Sequence, residues 1–295
     1  MGAFMRLDWQ PAAWVIESAP LFRQMSTAMH SNLADFQRRF PLIRWTGPHE
    51  GWMFRDTDQD AARVPLVLLP GAGGTGDTFY RTIEALRDTR RVVSVSYPGL
   101  DDAASMASGL LGVLSAAGIE RFDLFGSSLG GYVAQLCALR DPLRVRRCMF
   151  ANTFYDADWL QQKISREKLM ETPAEQHLAN TLGQLRSAGE ETAEKADFKH
   201  TMLALVGTHQ TAEMAKSALL AVLGAGPVPK VEMPEDLIAV LDARDDMVVD
   251  EATRVAMRER YRGSRHFRLA AGGHYPTLLN PAEFTAALMT HFRDD

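Results

Sequence analysis

The stretch from Gly126 to Gly131, GSSLGG, has the residue types and spacing of a nucleophilic serine in a tight turn. It contains the pattern G-x-S-x-G with Ser128 at its centre, between the apolar run Phe122 to Phe125 and a helical pattern. In this strand-turn-helix context a strained turn lifts the serine hydroxyl above the sheet, while the small neighbours let strand and helix approach. We therefore predict Ser128 as a nucleophile. An ordinary tight turn is the alternative, since the pattern alone is common.

A serine hydroxyl needs a base within hydrogen-bond reach, and that base is in turn oriented by a third group. His274 stands in AAGGHYP, on a loop directly after the last apolar run and behind two glycines that keep the loop tight. The other seven histidines lie in helical patterns, in a strand, in the N-terminal turn or in the inserted region. We predict His274 as the base, with a structural histidine as the alternative.

The orienting carboxylate is expected after the next-to-last strand, in the acidic turn from Asp242 to Asp246. We prefer Asp245, because the following Met247 and Val248 can anchor the loop beneath it while its side chain turns inward. The alternatives are carboxylates elsewhere in this turn or after the preceding core strand: Asp242, Asp246, Asp156 and Asp158.

A glycine-rich loop, PGAGGTG, directly follows the first central apolar run, Leu66 to Leu69. Attack on a carbonyl creates an oxyanion, and backbone N–H groups that are already in place stabilise it best. We predict that the N–H groups of Ala72 in this loop and of Leu129, next to the serine, form that oxyanion hole.

The same loop also meets the dinucleotide-binding pattern G-x-G-x-x-G at Gly71, Gly73 and Gly76. Such a site needs an acidic residue about 20 residues further on, at the end of the next strand. Ser96 and Tyr97 stand there instead, and the loop lacks a phosphate-binding lysine. The sequence therefore favours acyl chemistry over nucleotide binding, and that chemistry requires no organic cofactor and no metal.

These residues need a scaffold, and short apolar runs alternating with longer helical patterns predict parallel strands joined by crossover helices. Each run is apolar without strict alternation, as expected for a strand covered on both faces. Function then belongs at the carboxyl ends of the strands. The predicted strands are Val64 to Leu69, Arg91 to Ser96, Phe122 to Phe125, Arg146 to Ala151, Leu237 to Leu241 and His266 to Leu269.

The chain divides into three predicted parts. Residues 1–63 carry an amphipathic helix from Leu21 to Phe40 and two short antiparallel edge strands at 42–45 and 51–55. Residues 64–152 and 234–295 form the α/β core, and residues 153–233 form a helical cap. The cap has four helical patterns, roughly 156–170, 174–188, 192–205 and 211–223. We expect the apolar face of the N-terminal helix to pack on the core or on a second copy, with a membrane-surface role as the alternative, so homo-oligomer formation stays open.

Composition limits the partners. A net charge of −5 on 295 residues leaves no basic stripe for nucleic acid, and no apolar stretch reaches the length of a membrane span. The N-terminus lacks the pattern of a signal peptide, so we expect a cytoplasmic protein. Cys137 and Cys148 lie in apolar runs without metal-like spacing, which predicts buried free thiols.

The nucleophile, acid and histidine, in that chain order, resemble the α/β-hydrolase superfamily over roughly Pro41 to Phe292. The resemblance implies a mostly parallel sheet with a helical cap inserted after the fourth predicted central strand. Within that superfamily the maspardins are similar in PLVLLPGAGGTGDTFYR, LFGSSLGGYVAQ, AVLDARDDMVV and AAGGHYPTLLNPAE. Maspardins lack a histidine at the position of His274, which implies a binding role, whereas this chain has the histidine.

The resulting expectation is a carboxylesterase-like serine hydrolase that acts on a small-molecule acyl ester or related carbonyl substrate through an acyl-enzyme on Ser128. A serine at this position argues against epoxide hydrolases and haloalkane dehalogenases, which resemble this fold but use aspartate. The alternatives are a binding or adaptor protein on a hydrolase scaffold and an acyltransferase, because a fold alone does not determine function.

Overall fold

The computed structural model describes residues 33–57, 63–206 and 209–293. The first part of the helix expected from Leu21 to Phe40 lies outside the described residues. Its end is helix α1 (Leu33–Arg39), which buries Phe36 and stops before Pro41, as the sequence predicts.

Within the described residues the centre of the fold is an eight-stranded sheet with the order β1-β2-β4-β3-β5-β6-β7-β8. The edge strands β1 and β2 run antiparallel, and β2 pairs antiparallel with β4, whereas all other neighbours are parallel. The strands are β1 (Ile43–Arg44), β2 (Met53–Asp56), β3 (Leu66–Leu69), β4 (Val92–Ser96), β5 (Phe122–Ser127), β6 (Val145–Ala151), β7 (Ile238–Ala243) and β8 (Arg265–Leu269). The predicted parallel core with an antiparallel edge is confirmed.

Apolar cores cover both faces of this sheet, which explains why the central strands are apolar throughout. Along β3, Leu66 and Leu68 pack into one core, while Val67 and Leu69 pack into the other. Alternate side chains of a strand point to opposite faces, so all four are buried. The core helices are α2 (Tyr80–Leu86), α3 (Ala103–Ala116), α4 (Leu129–Arg140), α10 (Glu251–Arg260), α11 (Pro276–Leu279) and α12 (Pro281–His291).

A helical insertion lies between β6 and β7, where the sequence predicts the cap. It contains α5 (Asp158–Gln161), α6 (Arg166–Glu171), α7 (Ala174–Ser187), α8 (Ala193–Leu205) and α9 (Ala212–Leu223). The single helix expected over 156–170 is wrong, because Ser165 begins a new helix there. Its side chain accepts a hydrogen bond from the Lys168 N–H, a typical N-cap. The domain boundaries themselves stay a prediction.

Both cysteines are buried, as the sequence predicts. Cys137 and Cys148 are buried free thiols, and burial raises the pKa of Cys137 to about 12. Over the ranges that the structure describes, every helix is too short or too polar to cross a bilayer.

His291 in α12 is a buried histidine with a structural task. Its Nε2 lies 3.0 Å from the Cys148 carbonyl and therefore donates to it, while Nδ1 has no hydrogen-bond partner within the described residues. Protonation would place a second N–H, and a charge, in this buried site. Burial accordingly lowers the pKa of His291 from 6.5 to about 4.

This shift predicts an acid-sensitive fold. Between about pH 6.5 and pH 4 the unfolded chain binds a proton at His291 that the folded chain does not. The contribution of His291 to the free energy of unfolding is therefore complete above pH 6.5. It decreases by up to about 3 kcal/mol as the pH drops toward 4. His291→Gln keeps a donor for Cys148 and removes the titration, so its unfolding free energy should fall less steeply with acid than that of the wild type.

Chemical unfolding at pH 7.0, 6.0 and 5.0 measures this difference. The exposed His200→Gln serves as the matched control and should follow the wild type. Equal pH slopes for wild type and His291→Gln would contradict the assignment.

Candidate active site

Ser128 occupies a sharp turn between β5, which ends at Ser127, and α4, which begins at Leu129. Its backbone has φ 54° and ψ −121°, a left-handed conformation that side chains rarely adopt. The Ser128 N–H donates to the Ala151 carbonyl at 2.9 Å, and the Thr153 hydroxyl donates to the Ser128 carbonyl at 2.6 Å. The predicted strand-turn-helix setting of the serine is therefore present, with its strain held by buried hydrogen bonds.

Two glycines make this turn sterically feasible. A Cβ on Gly126 would collide with the carbonyl of Gly130, and a Cβ on Gly130 would collide with the carbonyl of Leu69. The strand and the helix approach too closely here for any side chain. This is the physical reason for the G-x-S-x-G spacing around Ser128.

The hydrogen-bond register of the parallel strands brings the other candidate residues to the same edge of the sheet. Along neighbouring strands, Leu69 pairs with Gly126, Ser127 with Ala151, and Ala151 with Leu241. Parallel strands end on the same side, so the loops that follow them meet there. These loops carry Ala72, Ser128, Asn152, Asp246 and His274.

His274 is paired with a carboxylate, and that carboxylate belongs to Asp246. The imidazole Nδ1 lies 2.9 Å from Asp246 Oδ2, and the Asp246 side chain is fully buried. A buried carboxylate at Nδ1 fixes the imidazole with its proton on that nitrogen, which leaves Nε2 as the free base.

The preference for Asp245 is wrong in this geometry. Asp245 is exposed, and its two carboxylate oxygens accept from the backbone N–H groups of Gly272 and Gly273, at 3.3 Å and 2.8 Å. Asp245 thus holds the backbone of the histidine loop, and its neighbour Asp246 contacts the imidazole.

The reason lies in the turn after β7. The other oxygen of Asp246, Oδ1, accepts from the N–H groups of Val248 and Val249, at 2.8 Å and 3.2 Å. This local bonding turns Asp246 inward and leaves Met247 92% exposed. The residue that anchors the loop in the core is Val249, which is fully buried, so the expectation that Met247 and Val248 do so is also wrong.

The remaining acidic alternatives have other partners or positions. Asp242 is buried against Arg258 at the end of β7, within the ladder that pairs with β8. Asp156 accepts weakly from the Asp158 N–H at the start of the cap. The residue that directly follows β6 is Asn152, which is not an acid.

The glycine-rich loop lies against the serine as predicted. A Cβ built on Gly71 would be 3.0 Å from Ser128 Cβ and 3.6 Å from its Oγ. Within the part of the chain that the structure describes, the N–H groups of Ala72 and Leu129 donate to no protein acceptor. Two unused donors beside the serine fit an oxyanion hole.

The geometry gives no support to nucleotide binding by the same loop. The Gly76 N–H donates to the Ser96 hydroxyl at 2.9 Å, so the serine that stands where a ribose-binding acid belongs holds the loop instead. Among the described residues, no three His, Cys, Asp or Glu side chains are grouped as metal ligands.

Sequence reasoning missed Asn152, which connects three parts of the site. Its backbone has φ 43°. Its side-chain amide donates to the Gly273 carbonyl at 3.0 Å and its oxygen accepts from the Ala243 N–H at 3.0 Å. An asparagine tolerates this left-handed conformation better than most residues. That tolerance at a strand end was the available signal for the position.

Tyr275, the neighbour of His274, was also missed. Its ring packs edge-on against His274, and its ring centroid lies 5.3 Å from the ring centroid of Phe198 in the cap. Its hydroxyl occupies the space that a side chain on Gly73 would need. Burial raises the pKa of Tyr275 to about 12, so its hydroxyl stays protonated at neutral pH.

Ser128 and His274 are not joined directly. Within the described residues Ser128 Oγ makes no hydrogen bond, and the two loops are connected through Ala151 and Asn152. Hydrogen bonds between nucleophile and base are often loose before a substrate binds.

Comparison with known families agrees with this arrangement. A family model described as the alpha/beta hydrolase family matches residues 66–288, which is most of the chain. This chain belongs to the α/β-hydrolase family. The matched segment of this α/β-hydrolase contains Ala72, Ser128, Asp246 and His274.

Individual relatives cover most of the same region. Maspardin of Danio rerio is 25% identical over 246 residues, which covers 82% of this chain and 78% of that protein. A thermophilic esterase from Thermogutta terrifontis superposes with a TM-score of 0.69 at 20% identity, covering 86% of this chain and 98% of that chain. An enol-lactonase from Burkholderia xenovorans has a TM-score of 0.69 at 16% identity, covering 86% and 100%. The two TM-scores, at such low sequence identities, show that these proteins share the fold of this chain.

The strained turn of this α/β-hydrolase predicts a gain in stability when the strain is removed. Ser128→Gly should raise the unfolding free energy by about 1 kcal/mol, because glycine adopts positive φ without the cost of a Cβ. Ser128→Ala keeps the Cβ and should give no such gain. Thermal or chemical unfolding measures both.

Ser127→Gly is the matched control, because Ser127 lies in β5 with ordinary extended backbone. It should lose roughly 0.5–1 kcal/mol, the usual cost of glycine in a strand. A Ser128→Gly protein less stable than Ser128→Ala would show that the turn stores no strain.

Proposed function

We propose that this α/β-hydrolase is a serine hydrolase that cleaves an acyl ester or a related carbonyl compound through an acyl-enzyme on Ser128. The observation that carries the proposal is the contact of His274 Nδ1 with the buried carboxylate of Asp246 at 2.9 Å. A buried carboxylate at Nδ1 holds the imidazole in the tautomer whose Nε2 can take a proton, as the base of a Ser-His-Asp triad requires.

In the proposed reaction, His274 Nε2 takes the proton of Ser128 as Oγ attacks the substrate carbonyl carbon. The carbonyl π electrons move to its oxygen, and the resulting oxyanion accepts from the N–H groups of Ala72 and Leu129. As the tetrahedral intermediate collapses, the imidazolium gives its proton to the departing alkoxide and the acyl-enzyme remains.

The second half repeats these steps with water. His274 takes a proton from a water molecule as the water oxygen attacks the acyl carbon, and the proton then goes to Ser128 Oγ as the carboxylic acid leaves. Asp246 stays ionised throughout and stabilises the imidazolium that forms twice in the cycle. Asp245 acts indirectly, by holding the backbone of the histidine loop.

The neighbours support the choice of carbonyl substrate. The structural relatives include an esterase and an enol-lactonase, both of which open a carbon–oxygen bond at an acyl carbon. The proposed steps use only side chains and backbone N–H groups of this chain.

Two alternatives share the same scaffold. An acyltransferase would use an alcohol or amine in place of water at the acyl-enzyme stage. A binding or adaptor protein is the alternative that the similarity to maspardin raises, with 82% of this chain aligned. The presence of His274 with a buried carboxylate favours catalysis over that alternative.

Labelling of the serine tests the proposal directly. A fluorophosphonate probe should label the wild type, because the reagent needs an activated serine and an oxyanion hole. Ser128→Ala should abolish labelling and the hydrolysis of p-nitrophenyl esters of increasing chain length. Ser127→Ala, next to it on β5, is the matched control and should still react. Well-folded wild-type protein that neither reacts with the probe nor cleaves any ester would favour the binding alternative.

The two adjacent aspartates give a second test. Asp246→Asn should lower kcat for an ester by about 10³- to 10⁴-fold, because the amide no longer fixes the imidazole tautomer or stabilises its charge. Asp245→Asn should lower kcat less than about 10-fold, since its contacts are to backbone N–H groups. Steady-state kinetics on both variants measure the difference, and a larger loss for Asp245→Asn would overturn the role given to Asp246.

A further inference from the structure

Gln210 connects the cap to the glycine-rich loop. Its Nε2 donates to the Ala72 carbonyl at 2.7 Å, although the two residues are 138 positions apart in the chain. Gln210 is 4% exposed. A short, partly buried hydrogen bond from the insertion thus ends on the residue whose N–H belongs to the proposed oxyanion hole.

The Ala72 N–H is otherwise weakly held. It shares a peptide plane with the Gly71 carbonyl, and that carbonyl accepts from the Gly74 N–H at a long 3.3 Å. Gly71 and Gly73, on either side, have no side chain to restrict rotation of the two peptide planes. The bond from Gln210 holds the peptide plane that follows Ala72, so it restrains the position of the residue that carries the N–H.

The residue before Gln210 is itself attached to the core. His209 lies 3.2 Å from Gln37 Nε2, and Gln37 donates to Asp77 at 2.9 Å. Asp77 directly follows the glycine-rich loop and forms a buried ion pair with Arg55 at 2.6 Å. Gln210 therefore extends from a segment that is bonded to the core, and its side chain restrains Ala72.

We propose that Gln210 is a positioning residue that makes the oxyanion hole depend on the cap. The inference rests on the proposed function and deepens it. With Gln210 on its carbonyl, Ala72 is held next to Gly71, which lies against Ser128; without that bond, the glycine-flanked loop samples positions in which the Ala72 N–H no longer reaches the oxyanion. The effect falls on the transition state, because the oxyanion does not exist in the bound substrate.

Two variants test this on the full chain. Gln210→Glu keeps the shape but, as a carboxylate, has no hydrogen to donate to the carbonyl, and Gln210→Met keeps the length with an apolar end. Both should lower kcat for an ester by about 10- to 100-fold with KM changed less than 3-fold, since complete removal of one oxyanion donor costs about 10²- to 10³-fold. The matched control is Gln176→Glu, on an exposed cap residue bonded only to Asn180 within the described contacts, which should match the wild type.

A second measurement separates positioning from folding. Binding of a trifluoromethyl ketone, which forms an oxyanion on Ser128, should weaken in the Gln210 variants by the same factor as kcat/KM. Thermal unfolding checks that both variants are folded at the assay temperature. Binding of an unreactive ether analogue of the ester, which forms no oxyanion, should not change.

The outcomes are distinct. An active wild type with Gln210→Glu and Gln210→Met equally active overturns the inference and leaves the proposed function standing. A proportional loss of ether binding and ketone binding also overturns it, because Gln210 would then shape the substrate pocket. A wild type without esterase activity or probe labelling overturns the proposed function, and the inference with it.

Discussion

The parallel hydrogen-bond ladder of β3, β5, β6, β7 and β8 is the constraint on which the site depends. Parallel pairing keeps the strands in the same direction, so five loops leave the sheet at one edge. Residues as distant as Ala72 and His274 meet there because each comes a few positions after its strand. The apolar character of β3, β5, β6 and β7 lets helices bury this part of the sheet on both faces, as is usual for parallel strands.

At that edge the backbone departs from ordinary conformations, and polar contacts hold it in place. Ser128 and Asn152 both have positive φ, at the ends of neighbouring strands. Their strain is offset by hydrogen bonds to the strand beside each one: Ser128 to the Ala151 carbonyl, and Asn152 to the Ala243 N–H. Asn152 also donates to the Gly273 carbonyl in the histidine loop. The serine turn and the histidine loop are therefore connected through two consecutive residues, Ala151 and Asn152.

The division of work between two adjacent aspartates shows how finely local bonding decides a role. Asp246 turns inward because one of its oxygens accepts two N–H groups of the same turn, which leaves the other oxygen for His274. Asp245, one position earlier, is exposed and accepts from the N–H groups of Gly272 and Gly273. Two carboxylates thus hold the same loop, one through its backbone and one through its imidazole. The cap adds a third restraint through Gln210 on the facing loop.

By itself the sequence determined what depends on local patterns: the strands, the cap insertion between β6 and β7, and Ser128 in its turn between strand and helix, since periodicity and glycine spacing record those. It also indicated the loops that carry Ala72, Asp246 and His274, which the parallel strands bring to one edge of the sheet. Only the tertiary structure decided between Asp245 and Asp246, because a turn of a few residues orients its side chains through hydrogen bonds that composition does not encode. The contacts of Asn152 and Gln210 were equally out of reach, since each joins segments that only folding brings together.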